Sequence, residues 1–415
     1  MISTKRRPRV LFISHSASRN GATILLLSFL RWLKDRVDWD IEVLVHGRGP
    51  LLDEFREIAK TTVWRDPRSK LDILFPRAPE SLGRTLQMVH TWLSLPTGRF
   101  ALIYANTTAA VPMVSQLVGK TGSLLWHVHE LSYAMTISLT RSDWRDCFHS
   151  AKRFIAVSNA VRDALITDQG INADRIDVVN GFIEPQRLIS GSVEAKRQQL
   201  RRELCIPPDG FVIGACGSLG WRKGSDIFLQ IARRVVTGLD GGNVFFLWIG
   251  GARGEPAIVE FEYDMGRLGL NRFCRLVPTT PDVLDYYHVM DVFALTSRED
   301  PFPLVVLEAA DHALPVLCFD NAGGAVEFIG DDSGLRVPYL DTDEFAERII
   351  ELYRDRTYAG QLGTRARLKT RESLSVETQG PKLLQSMQQC LADDGPAEGT
   401  GGGSDRPQEL CLRAR

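Results

Sequence analysis

The chain contains no stretch of eighteen consecutive apolar residues, which excludes an ordinary membrane-spanning helix. Cysteine is sparse: seven in 415 residues, an odd number with no CxxC pair. That usage excludes a disulfide framework and a cysteine-based structural metal, and favours a reducing compartment, the cytoplasm. Neither a GxGxxG nor a Walker A pattern occurs, so the standard dinucleotide and nucleoside-triphosphate fingerprints are missing. The first residues, MISTKRRP, lead directly into a strand pattern and lack the apolar segment of a signal peptide. A large net charge is also absent, with 50 Lys+Arg against 51 Asp+Glu giving −1, and no nucleic-acid partner is expected. The charge is unevenly placed, however. Residues 1–185 hold 24 Lys+Arg against 18 Asp+Glu, and the rest hold 26 against 33. A basic first half is either plain solvated surface or an attraction for an anionic acceptor or membrane.

What is present is length and alternation. A chain of 415 residues is too long for one ordinary core, so two domains of about 150–200 residues are expected. Short apolar runs at 9–14, 41–45, 101–105, 123–129, 153–158 and 176–179 read as strands, with helical spacing between them, as in Leu26, Leu27, Leu30 and Leu33. The second half repeats the pattern at 211–215, 244–249, 273–277, 292–295, 315–319 and 334–337. Alternating strands and helices imply α/β architecture with doubly wound parallel sheets. Two Rossmann-like domains facing each other across a cleft place ligands between them. The boundaries follow composition: 1–185 for the first domain, 186–204 for a polar linker, and 205–372 for the second domain. A C-terminal helix at 373–392 is expected to pack back on the first domain, and a Gly-rich tail at 393–415 to be disordered.

Chemistry concentrates at strand ends. The segment 292–329 has a buried strand, a polar loop Ser297-Arg298-Glu299-Asp300, and Pro303 at a helix start. Next come a helix apolar on every face but for Glu308, a second strand, and Asn321-Ala322-Gly323-Gly324 followed by Glu327. A carboxylate in a buried helix needs partners. A vicinal diol such as a ribose could supply two O–H donors, and an arginine or backbone donors would serve equally. After the first strand, the small-residue loop 14–22 ends with Asn20-Gly21 at a helix N-terminus, either a ligand-approach loop or an ordinary tight turn. In the strand ending Trp126-His127-Val128-His129-Glu130 the two histidines share a face, with His129 at the carboxyl end. A metal reading would use both histidines but lacks a third ligand nearby, and a buried structural histidine is the third option. The loop Gly217 to Gly224 carries Arg222 and Lys223 between a buried strand and a helix, where an anion would be favoured.

The 292–329 segment resembles the signature of retaining glycosyltransferases of family 4, which have the GT-B architecture. That signature pairs two acidic residues separated by seven others and continues into a strand and a Gly-Gly loop. Here Asp300 and Glu308 take the two positions, with Asp in place of the usual Glu. Four more segments are similar to the family: the loop after the first strand, the His129 strand end, 156–161 with 178–182, and the Lys223 loop. The family often has a second cation four to six positions before Lys223, where this chain has Ser218-Leu219-Gly220; Arg222 is the neighbouring cation instead. The resemblance implies a metal-independent enzyme without cofactor, moving a hexose from a UDP-, GDP- or ADP-sugar to a saccharide or lipid-linked acceptor, as in cell-envelope polysaccharide or glycoconjugate synthesis. It places the ribose on Glu308, the diphosphate on Arg222 and Lys223 with support from Gly21, Gly323 and Gly324, and the hexose between Asp300 and His129. No Asp-x-Asp metal motif stands in a plausible loop. Two other readings stay open: a nucleotide-sugar epimerase of similar fold, and a catalytically weak nucleotide-sugar-binding protein. Leu86, Val89 and Leu93, with Trp92 beside them, form a stripe that could pack on the first sheet. It could equally lie in an anionic membrane, giving a cytoplasmic protein peripheral at the inner face.

Overall fold

A computed structural model describes residues 7–64, 95–185 and 190–392. The 86–93 stripe, part of the linker and the 393–415 tail lie outside these residues. The first sheet has seven parallel strands: β1 (Arg9–Ser14), β2 (Asp40–His46), β3 (Lys60–Trp64), β4 (Phe100–Asn106), β5 (Thr121–Val128), β6 (Arg153–Ala156) and β7 (Ile176–Val178). Their spatial order is β3-β2-β1-β4-β5-β6-β7. The second sheet has six: β8 (Phe211–Cys216), β9 (Val244–Ile249), β10 (Cys274–Val277), β11 (Val292–Leu295), β12 (Val316–Phe319) and β13 (Gly334–Val337). Their order is β10-β9-β8-β11-β12-β13, again all parallel. Helices cover both faces of a parallel sheet, so the central strands are apolar on both sides, as in Val10 to Ile13 and Val292 to Leu295. Strand order reverses between β1 and β4 and between β8 and β11. Ligands of open α/β sheets bind beyond the carboxyl ends of the strands at such points.

One element departs from the sequence reading. β3 was not expected: its KTTVW sequence begins directly after a helix that ends at Ile58, with no turn residue to announce it, and lies half-buried at the sheet edge. Within the 186–204 linker, Ser190–Glu203 is a helix docked on the second domain. Arg201, 3% exposed, holds it there, donating to the carbonyls of Gly210 and Val289 and to the Asp291 carboxylate. The chain crosses back at Leu374, whose carbonyl accepts from Ile183 N–H at 3.1 Å. The last helix, Val376–Ala392, then lies on the first domain. Its Gly380 lets Trp32 approach so closely that a Cβ would stand 2.9 Å from the indole. Leu383, Met387 and Cys390 join Phe12, Phe29 and Tyr104 in one apolar cluster. No helix among the described residues is long and apolar enough to cross a membrane.

Candidate active site

The second domain supplies a tightly tied acidic loop. Asp300, 5% exposed, donates its N–H to the Ala322 carbonyl at 2.7 Å and forms a parallel bridge with Gly323. Gly323 has φ +131°, and a Cβ there would fall 1.9 Å from the Asp300 carbonyl oxygen, so only glycine fits. The Asp300 carboxylate accepts from Lys223 Nζ at 2.5 Å and from Ser297 Oγ at 3.3 Å. That ion pair is largely dry, with side chains 14% and 7% exposed for Lys223 and Asp300. Lys223 carries three N–H donors, so one bond to Asp300 leaves donors for an anion. Gly224, at φ +67°, turns the chain into the next helix. Arg222 donates Nη1 to the Glu299 carbonyl at 3.1 Å, while its own carbonyl accepts from Arg298 N–H. Arg298 makes two parallel bonds to the Asp226 carboxylate, 2.9 and 2.7 Å, and lies over the Trp221 ring. The basic loop and the acidic loop are therefore one braced unit. Sequence reasoning did not single out Arg298 or Asp226, although an Arg beside the acidic loop was a readable signal.

Glu308 sits one turn into the helix Leu304–Asp311. Neither an arginine nor a backbone donor meets it among the described residues. Its Oε2 accepts from the buried Tyr287 hydroxyl at 2.9 Å. Burial pushes this carboxyl above the usual carboxylate range, and the Tyr287 bond only partly offsets that. The Tyr287 partner could not be inferred from spacing. Gly324, one of the positions expected to support the phosphate, sends its N–H to the Asp300 and Pro301 carbonyls at 3.1 and 3.0 Å. The geometry gives it the task of shaping the loop.

From the first domain, His129 leaves the end of β5. Its Nε2 lies 3.0 Å from Asn106 Oδ1. The Asn106 amide is oriented by its Nδ2 donating to the Ala22 carbonyl, so Oδ1 faces the histidine and Nε2 must carry the proton. The free lone pair is then on Nδ1. His127 lies tilted beside it, ring centroids 4.1 Å apart, with Nδ1 2.6 Å from the Tyr104 hydroxyl. Burial lowers His127 to about 3. His129 is held well below the imidazole range by burial, then by the fields of His127 and His15. Both rings are neutral near pH 7. Glu130 accepts from the N–H groups of His129 and Thr108 at 3.0 and 3.1 Å, yet burial raises it to about 7. Gly21 opens the first helix behind the Asn20 cap, and a Cβ on it would meet Leu304 at 3.6 Å, across from the Glu308 helix.

Two carboxylates fasten the domains together. Glu327 accepts from Asn159 N–H at 2.9 Å, Asn159 Nδ2 at 3.0 Å and Ala160 N–H at 2.9 Å, at the start of the helix Asn159–Thr167. Glu299 accepts from Tyr133 N–H at 2.9 Å. Trp221 and Tyr133 face each other at the lip, ring centroids 4.9 Å apart. The cleft thus joins His129 and its loop to the Lys223–Asp300–Gly323 unit through residues 131–133. Among the described residues no group of three or more His, Cys, Asp or Glu side chains is arranged to hold a metal ion.

Two facing Rossmann-like domains with their strand ends turned to one cleft define the GT-B class. A model of glycosyltransferase family 4 matches residues 19–187, and a model of glycosyl transferases group 1 matches 210–355. The chain belongs to this family of GT-B glycosyltransferases. Among curated relatives, D-inositol 3-phosphate glycosyltransferase of Nocardia farcinica is 27% identical over 267 residues, 62% of this chain and 58% of that one. The capsular polysaccharide biosynthesis glycosyltransferase CapM of Staphylococcus aureus is 26% identical over 233 residues, 55% of this chain and 59% of that one. The chain therefore spans less than two thirds of the length of either relative. The fold is shared with HepE of Anabaena in complex with UDP-glucose, at a TM-score of 0.73 and 22% identity over 92% of this chain and 99% of that one. Sucrose-phosphate synthase of Thermosynechococcus elongatus superposes at 0.68 and 18% identity, covering 93% and 100%.

Proposed function

We propose that the chain transfers a hexose, with retention, from a nucleotide-diphosphate sugar to a saccharide or lipid-linked acceptor, without a divalent metal. One observation carries this reading: a nearly dry Lys223–Asp300 pair, locked by Gly323, beside a helix whose inward face bears Glu308. Lys223 and Arg222 would meet the diphosphate. The Glu308 carboxylate would accept from the ribose hydroxyls, and Asp300 would face the hexose, with His129 across the cleft. In the reaction the sugar C1–O bond to phosphate breaks while a C1–O bond to the acceptor forms on the same face. The acceptor's hydroxyl proton passes to the departing diphosphate oxygen. Lys223 and Arg222 stabilise the charge growing on that oxygen, and the closed cleft excludes water. A uridine donor is supported by the UDP-glucose held by the structurally similar HepE.

The test is release of free nucleoside diphosphate from UDP-, GDP- and ADP-sugars with a panel of saccharide and polyprenyl-linked acceptors, and the anomeric configuration of any product by NMR. An inverted product refutes retention. Nucleotide binding without turnover on any donor supports instead the reading as a weak binding protein. Docking on an anionic membrane draws only on the basic first half and the 86–93 stripe. It would show as salt-sensitive co-sedimentation with anionic vesicles.

A further inference from the structure

Glu308 is half-buried, and its two carboxylate oxygens are treated differently. Oε2 accepts from the Tyr287 hydroxyl at 2.9 Å, whereas Oε1 meets no donor among the described residues. Tyr287 ends the short helix Val283–Tyr287 and is fully buried. Its ring packs against Phe293 of β11, centroids 6.0 Å apart, and against His312 at 5.3 Å. His312 is itself fixed, because its Nδ1 donates to the Glu308 carbonyl at 2.7 Å, just past the end of the same helix. The Cys216 thiol, at the end of β8, adjoins the tyrosine hydroxyl, and the field of Lys223 reaches that thiol. Burial pushes the thiol up to about 12, raises the phenol well above its ordinary range and lowers His312. All three groups around the carboxyl are therefore neutral near pH 7.

An arginine in the place of Tyr287 would cancel the charge of Glu308 and could occupy both oxygens. A phenol donates one hydrogen bond, adds no charge and leaves the second oxygen open. Without that bond, burial would favour the protonated acid, a weaker acceptor. We propose that Tyr287 is a positioning residue of the nucleotide site: its hydroxyl turns Glu308 so that Oε1 faces the vicinal hydroxyls of a ribose. The inference rests on the reading of Glu308 as the ribose acceptor. It adds a selection for ribose over 2′-deoxyribose that depends on one phenolic hydrogen, although the buried ring itself meets no ligand.

The probes are UDP, GDP and ADP, each paired with its 2′-deoxy form and titrated calorimetrically into the full chain between pH 6.5 and 8.5. The ribonucleotide that binds most tightly is carried forward. The parent is expected to prefer it over the deoxy form by about tenfold or more. Comparing the two forms at each pH cancels the titration of their phosphates. Tyr287→Phe keeps the buried ring, so the fold is retained. It should lose most of the preference at pH 6.5 and regain it toward pH 8.5, as the carboxyl ionises without the hydroxyl's help. In Glu308→Gln the preference should vanish, and adding Tyr287→Phe to that variant should change nothing further. Absence of binding by all three nucleotides, no preference in the parent, or a preference that survives Glu308→Gln overturns the ribose reading and this inference with it. If Glu308→Gln abolishes the preference, the ribose reading stands and three results overturn the positioning role alone. They are a Tyr287→Phe preference equal to the parent's at every pH, a pH-independent loss shared by both nucleotides, and a further loss in the double variant.

Discussion

Replacing Glu327 with glutamine tests whether the domains are held by a charge at a helix end. The carboxylate meets three donors at 2.9–3.0 Å, two of them backbone N–H groups that the helix Asn159–Thr167 cannot satisfy itself. Glutamine keeps the length but removes the charge, and turns an NH₂ toward one of the donors. Loss of the charge–dipole attraction contributes about 0.3–1 kcal/mol at a partly exposed site. An unsatisfied N–H adds a similar amount, for about 1–2 kcal/mol in all after allowing for solvent screening. That is roughly a 5–30-fold rise in the population with this contact open. Hydrogen exchange reads it directly. The amides of Asn159 and Ala160 should lose protection by that factor in the variant, and lose part of it in the parent as salt is raised. Val161, whose N–H is capped by Ser158 Oγ at 3.2 Å within the first domain, is the internal control. Unchanged protection at Asn159 and Ala160, in the variant and in salt, refutes the clasp.

Gly323→Ala should destabilise the second domain by about 3 kcal/mol, from its positive φ and the close Asp300 carbonyl, measured by urea unfolding; an unchanged midpoint contradicts the tie between the two loops. Glu308→Gln should weaken UDP binding by about 1–3 kcal/mol in calorimetry, and equal affinity in a folded variant removes the ribose role. His127 is neutral when folded and takes up a proton when unfolded, so its contribution is present above pH 6.5 and is lost as pH falls toward 3. At pH 5 the loss is about 2 kcal/mol, and a His127→Gln variant should show a correspondingly shallower fall in urea midpoint between pH 7 and 5. Turnover should survive EDTA; a loss restored by magnesium or manganese would reveal a metal requirement.

The strands were legible because a strand buried on both faces must be a short continuous apolar run, as at Phe12 or Phe293. β3 escaped because an edge strand needs no such run. The loops carrying Asp300, Lys223 and His129 were legible as chemistry placed at strand ends, where an open sheet puts its ligands. Their partners were not. Tyr287 meets Glu308 across 21 positions, Asn106 meets His129 across 23, and Glu327 meets Asn159 across 168. Those pairings are decided by how helices settle on two sheets, and local spacing carries no trace of them. Glu327 stood out in the sequence as one more carboxylate behind a glycine loop, and only the assembled domains show which helix it serves.

The returning helix Val376–Ala392 also bears on how the protein is made. The first domain draws its core from the opening 185 residues and from Leu383, Met387 and Cys390, which emerge from a ribosome after the entire second domain. During synthesis the second domain can close its own core first, while the apolar face around Phe29 and Trp32 waits for its cover. A nascent chain halted just before Val376 would hold a finished second domain tethered to an unfinished first one, with Ser123 and Trp32 deprived of Cys390 and Glu377. Such a chain is a natural client for chaperones and a poor choice for truncation.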